Sequence, residues 1–211
     1  VIEFLSDGGP VMVPLGICSV IGLASFFERL WALRRERVVP RAFCVELVEL
    51  LRQERWQDAA TLCKKRDVPI ARIVEVAVAA RGEPRQSLRD RVEEIGRREA
   101  MELERWLWVL GTVGSVGPLL GLLGTVQGMI QTFRTIEGGG IGQMQQMAGG
   151  IGMALITTLG GLLVAIPAVV AHRYLVSRVD DLTIDLEEVS LGAVNLLSTP
   201  SARAAPTPEA R

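Results

Sequence analysis

Four threonines, Thr125, Thr132, Thr157 and Thr158, lie in stretches that hold no ionisable side chain. There are 28 residues between Arg105 and Arg134, and 34 between Glu137 and His172, without Asp, Glu, Lys, Arg or His. A threonine hydroxyl donates one hydrogen bond and accepts others, but it does not titrate near neutral pH. In a helix it can bond the carbonyl three or four residues back, or it can bond a partner or line a polar path. Spacing leaves both readings open. Thr125 and Thr158 stand near the middle of their windows, and Thr132 continues the line of Thr125. Thr157 adjoins Thr158 and points about 100° away by helix periodicity. Gln127 and Gln131 share another face, where they bond between helices or sit near the outer surface.

Other chemistry is sparse. The one histidine, His172, stands at the edge of a window and reads as an interfacial anchor. Cys18, Cys44 and Cys63 are odd in number with no CxxC, so neither a disulfide framework nor a metal site is expected. No Ser/His/Asp set, HExxH or phosphate-cradling loop occurs, so no catalytic residue and no cofactor is expected, and a membrane enzyme is a poor reading. A net charge of −1 gives no reason to expect nucleic acid. A proton route through a bilayer generally uses titratable groups at membrane depth. The two windows hold none, so if protons move here, a partner must bring the acid.

The elements that hold these residues follow from charge segregation. Apolar residues make up 49% of the 211, and 22% are charged; mean hydropathy is +0.31. A hydrocarbon core of ~30 Å needs about 20 apolar helical residues, and both windows exceed that. We therefore expect membrane helices over 106–133 and 147–172, with a third over 11–28, where Val11 to Phe27 carries no charge. Glu3 and Asp7 before it, and Glu28, Arg29, Arg34, Arg35 and Arg37 after it, lack the pattern of a signal peptide and favour a retained span.

The arginines after span one and His172, Arg173 and Arg178 after span three set the orientation by the positive-inside rule. Residues 1–10 and the 134–146 loop are expected in the periplasm. Residues 29–105 form a cytoplasmic helical domain, 173–198 a cytoplasmic C-terminal helix, and 199–211 a disordered tail. Phe43, Leu47, Leu50 and Leu51 share one face, as do Ile70, Ile73, Val74 and Ala77. Pro69 and Gly82-Glu83-Pro84 separate the pieces. Residues 86–104 run to Trp106 without a breaker, which predicts one helix passing into the second span. Leu175, Val179, Leu182, Leu186, Val189, Ala193 and Leu196 form a seam of period 3.5.

Small residues mark the packing faces. Gly114, Gly117, Gly121, Gly124 and Gly128 lie three or four apart in the second span, and Gly150, Ala154, Thr158, Gly161 and Ala165 form a line in the third. In lipid such residues let backbones approach closely. The glycine count suggests contacts on more than one side, hence an oligomer, with packing inside one subunit as the plainer reading. Pro118 and Pro167 are expected to kink their spans.

Gly111-Thr112-Val113-Gly114-Ser115-Val116-Gly117-Pro118 with Gly121 to Met129 resembles the second span of the ExbB/TolQ/MotA family. Gly150 to Thr158 with Gly160-Gly161 and Ala165-Ile166-Pro167-Ala168 resembles its third span. Gly8-Gly9-Pro10-Val11-Met12 and Glu28-Arg29-Leu30-Trp31 fit as well. Three spans place the likeness in the ExbB/TolQ branch. The resemblance implies an all-α membrane protein with long cytoplasmic helical extensions, in the bacterial inner membrane. It implies a homopentameric ring around a central pore, holding a dimer of a single-span ExbD/TolR-like protein whose membrane aspartate titrates. The function implied is that of a stator that turns proton motive force into mechanical work, for biopolymer transport, envelope energisation or gliding. Thr125 and Thr158 match the family's two pore-facing threonines. Met153 departs from the pattern, since many members carry Glu there. The competing reading is a non-conducting membrane scaffold that assembles partner proteins; the glycine lines fit both.

Overall fold

A computed structural model describes residues 8–137 and 144–198, with the side chains of 144–146 left aside. The expected tail, the first seven residues and residues 138–143 of the expected loop lie outside that range. The described secondary structure is helical throughout: α1 Met12–Ala32, α2 Arg35–Val38, α3 Arg41–Arg52, α4 Trp56–Lys65, α5 Pro69–Ala79, α6 Arg85–Glu104, α7 Leu107–Glu137 and α8 Met144–Ser198. The chain divides into two compact units. The first holds α1, α7 and α8 as far as Ser177; the second holds α2 to α6 and α8 from Arg178.

In the first unit, α1, α7 and α8 are each long and apolar enough to cross a membrane. Their outer faces carry large exposed apolar side chains: Val13, Ile17 and Val20 on α1, Leu119, Leu122 and Leu123 on α7, Leu155, Leu163 and Val170 on α8. An apolar exterior of that extent needs lipid or a neighbouring protein against it. Trp31 and Trp108 are exposed near the ends of α1 and α7, and Trp106 just before α7, as amphipathic rings at a membrane–water interface are. Both prolines sit inside unbroken helices. Each removes one backbone donor, a loss that membrane helices tolerate.

The second unit is built on short amphipathic helices. Pro69 opens α5 at its first turn, and Val68 before it is extended, with φ −129° and ψ 150°. That is the conformation proline imposes on its predecessor. Gly82 takes φ 95° in the turn to α6, where a side chain would be strained. Ile70, Ile73, Val74 and Ala77 are all buried as expected, and burying an Ile or Val of this kind contributes about 1.5–3 kcal/mol. Phe43, Leu47 and Leu51 of α3 are buried too, while Leu50 is only half so.

Arg72 ties α5 to α6. Its Nε and Nη2 donate to Glu99 Oε1 and Oε2 at 2.8 and 2.6 Å, and Nη1 pairs with Asp67. The Glu99 hydrogen bonds above all raise its pKa further, against desolvation. Cys63 is buried in the same unit. Burial first, and then the charge of Glu75, push its thiol up to about 11. The thiolate is the reactive form, and at pH 8 about one Cys63 in a thousand carries it by that value. Alkylation of Cys63 in the folded chain at pH 8 is therefore expected to be at least tenfold slower than in denaturant, by roughly the measure of that thiolate deficit. Mass spectrometry of the labelled peptide checks this, and equal rates would contradict it.

Two expectations are corrected. The helix expected to pass unbroken into the second span stops at Glu104 and restarts at Leu107. Trp106 between them takes φ 71°, a left-handed conformation that no residue type in this stretch announces. The C-terminal seam also shifts register. Leu175, Val179, Leu182, Leu186 and Ala193 are buried, but Ser190, Val194 and Leu197 complete the face in place of Val189 and Leu196. A helix of 3.6 residues per turn drifts about 20° per heptad from a 3.5 repeat, which over two heptads moves the face by part of one position.

Candidate functional site

The small residues of α7 face α8 one for one. Gly114, Gly117, Gly121, Gly124 and Gly128 are all buried. A β-carbon on Gly117 would stand 3.1 Å from both the Gly161 carbonyl oxygen and the Ala165 Cβ. One on Gly121 would stand 3.2 Å from the Thr158 Cα, and one on Gly128 2.6 Å from the Gly150 carbonyl oxygen. From the other side, a β-carbon on Gly161 would stand 2.7 Å from the Gly117 carbonyl oxygen and 3.0 Å from the Gly121 Cα. Ala154 and Ala165 are buried in the same seam. All five glycines of the α7 stripe are thus occupied inside one chain. The stripe gives no reason of its own to expect an oligomer, and the plainer of the two readings of it is the one observed.

The four threonines separate into two pairs. Thr157 is fully buried, donates to the carbonyls of Met153 and Ala154 at 2.9 and 3.0 Å, and packs on Gly124. Thr132 is buried, donates to the Gly128 carbonyl at 3.0 Å and packs on Gly150. Both hydroxyls are spent within the seam. Thr125 and Thr158 are half-buried at its margin. Thr125 donates to the Leu122 carbonyl at 2.7 Å. Thr158 donates to the Ala154 carbonyl at 3.2 Å and lies 3.5 Å from the Gly121 carbonyl across the seam. Hydrogen bonds of that length are weak, so Thr158 holds its proton most loosely toward the backbone. Each hydroxyl oxygen keeps lone pairs with which to accept.

The other polar residues fall elsewhere. Gln127 is half-buried and Gln131 exposed. His172 packs its Nε2 edge toward Gly111, 3.3 Å from where a β-carbon would stand. Met153 lies with its thioether against Gly9, where a β-carbon would come within 2.8 Å of Sδ. No group of three metal-ligating side chains occurs among the described residues. Arg29, which the sequence reading used only for orientation and for the family likeness, makes a contact that reading did not foresee. Its Nη1 donates to the Arg105 carbonyl at 3.0 Å, at the break before α7. The only signal for it was an arginine at the end of a span with a glutamate beside it.

The described parts of α7 and α8 thus present hydroxyls at the edge of a tight seam, on a wall with nothing in the charge-free windows that ionises.

The profile of the MotA/TolQ/ExbB proton channel family matches residues 65–188, more than half of the chain. A Synechocystis protein provisionally named biopolymer transport protein ExbB-like 1 is 35% identical over 183 residues, covering 83% of this chain and 70% of the relative. The biopolymer transport protein ExbB of Aquifex aeolicus is 39% identical over 88 residues, 42% of this chain and 60% of that protein. The Tol-Pal system protein TolQ of Haemophilus influenzae is 45% identical over 83 residues, 39% of this chain and 36% of that protein.

Proposed function

The chain belongs to the MotA/TolQ/ExbB proton channel family, on its ExbB/TolQ side, and from that premise we propose that it is the stator subunit of an inner-membrane motor driven by protons. Five copies form a ring, with α7 and α8 toward a central pore. A dimer of a single-span ExbD/TolR-like protein sits inside, with lipid around the outside. The N-terminus lies in the periplasm and the C-terminus in the cytoplasm, as the arginines after α1 favour. The observation that carries the reading is the wall itself. Thr125 and Thr158 are half-buried hydroxyls on an apolar surface without ionisable groups in the two windows, so the titrating acid must be the partner's.

The geometry supports a cycle. The partner's aspartate, when charged, draws a hydroxyl proton toward itself, and Thr158 yields most readily because its backbone bonds are long. A proton arriving from outside neutralises the carboxylate. The neutral acid leaves the threonine without carrying charge through an apolar lumen. A five-fold ring around a two-fold insert then has no arrangement in which all contacts are equal, and successive protonations bias rotation. One charge crossing 100 mV releases ~2.3 kcal/mol, so useful work takes several protons. The driven process is uptake, envelope maintenance or gliding.

Vesicles holding the chain with a single-span ExbD/TolR-like partner that bears a membrane Asp are expected to take up protons under an imposed potential. Changing the partner's membrane Asp to Asn is expected to remove that uptake. Undiminished uptake with Asn would overturn the proposal. Assembly with no uptake in either case would leave the scaffold reading in its place.

A further inference from the structure

The turn between α6 and α7 contradicts its own sequence. No Gly or Pro lies between Gly96 and Gly111, and a helix through Arg105 and Trp106 would satisfy every backbone group. Trp106 instead takes φ 71°, where a bulky side chain is strained. One donor compensates. In a continuous helix the Arg105 carbonyl would accept from the Val109 N–H. Here Val109 N–H donates to the Trp106 carbonyl at 3.2 Å, and the Arg105 carbonyl accepts from Arg29 Nη1 at 3.0 Å.

Arg29 is set up for this. Its Nε and Nη2 are held by the two carboxylate oxygens of Glu28 at 2.5 and 2.7 Å, which leaves Nη1 to reach across 76 positions of sequence. The Arg29 side chain is only 12% exposed. A hydrogen bond from a charged donor is among the stronger kinds. The Arg105 guanidinium also lies over the Trp106 ring, 5.6 Å from its centre.

We propose that Arg29 is a latch, a positioning residue that holds the Arg105–Trp106 turn in its strained form against the helix its sequence prefers. The Arg105 carbonyl is satisfied in both forms, by Arg29 in one and by Val109 in the other. The two forms therefore differ by the strain at Trp106 and the Leu107 and Trp108 amide bonds, which favour the helix, and by the Arg29 bond, which favours the turn. When the latch is released, the helix runs through, and the Leu107 and Trp108 amides gain helical acceptors in Leu103 and Glu104. The latch does not depend on what the membrane unit transports.

Amide exchange in the full-length protein in lipid nanodiscs tests it. Arg29→Ala is expected to slow exchange at Leu107 and Trp108 by about tenfold, since exchange reports the bonded state of each amide. Arg29→Lys is expected to stay near the native rate. The decisive variant is Arg29→Ala with Trp106→Gly. Glycine takes φ 71° without strain, so the double variant is expected to return to native exchange. Trp106→Gly alone, at a half-exposed site, is expected to leave exchange unchanged. Native exchange in Arg29→Ala, or a double variant as altered as that single one, would overturn the latch. If Arg29→Ala does not accumulate, Glu28→Gln, which loosens the grip on the guanidinium, is expected to move exchange the same way by a smaller factor. Exchange at the native rate in Glu28→Gln, or slowed in Trp106→Gly alone, would overturn it equally.

Discussion

Thr158→Val is expected to abolish energised work while the complex still assembles. Valine has nearly the shape of threonine, so the close approach of α8 to Gly121 is kept. What is lost is one hydroxyl, held to backbone at only 3.2 and 3.5 Å. Hydrogen bonds to charged groups are worth about 1.5–3 kcal/mol, which corresponds to a loss of roughly ten- to a hundredfold in a step that depends on that contact. Thr158→Ser restores the hydroxyl and is expected to restore most activity. The measurement is proton-driven function of the complex beside its partner, with assembly followed separately by mass. Full activity in the valine variant would remove Thr158 from the mechanism.

Gly161→Val is expected to be strongly damaging to the fold. Its β-carbon would stand 2.7 Å from the Gly117 carbonyl oxygen and 3.0 Å from the Gly121 Cα. Both are backbone atoms of a helix, so they cannot swing aside as a side-chain end would. Overpacking a well-filled interior costs about 1–3 kcal/mol, and a clash with backbone lies at or above the top of that range. Gly152→Ala is the control, since a β-carbon there meets nothing within 4 Å. Thermal unfolding in detergent is expected to show a large loss of midpoint for Gly161→Val and almost none for Gly152→Ala. Equal midpoints would mean that the α7–α8 seam is looser than its distances say.

The sequence made the spans legible because a bilayer imposes a constraint that one chain reveals unaided: charge is excluded over a fixed length. The expected helices over 106–133 and 147–172 needed no tertiary knowledge; α8 covers the second, and α7 covers the first from Leu107 onward. The amphipathic face of α5 was legible for the same local reason, since Ile70, Ile73, Val74 and Ala77 follow the helix period.

What failed depended on partners far away in sequence. The break at Trp106 is held by Arg29, and nothing in residues 86–110 announces it. The glycine stripe of α7 suggested contacts on more than one side, because spacing says that a backbone can approach without saying whose; its five members meet α8. The final turns of α8 were misread by one position because a 3.5 repeat was assumed where the helix keeps its own 3.6. Among the threonines, position in the window could not separate Thr157, fully buried against Gly124, from Thr158, half-exposed beside it. Only the direction of α7 decides which hydroxyl of such a pair is spent on packing and which is left to meet a partner.

Proton leak through the chain reconstituted alone in liposomes tests the central claim most directly. With an imposed potential and a trapped pH indicator, the account predicts the same leak as protein-free vesicles, because no group in the charge-free windows of α7 and α8 can take up a proton. A leak as large as that of the chain with its partner would mean that the ring carries its own proton path, and the account would be wrong.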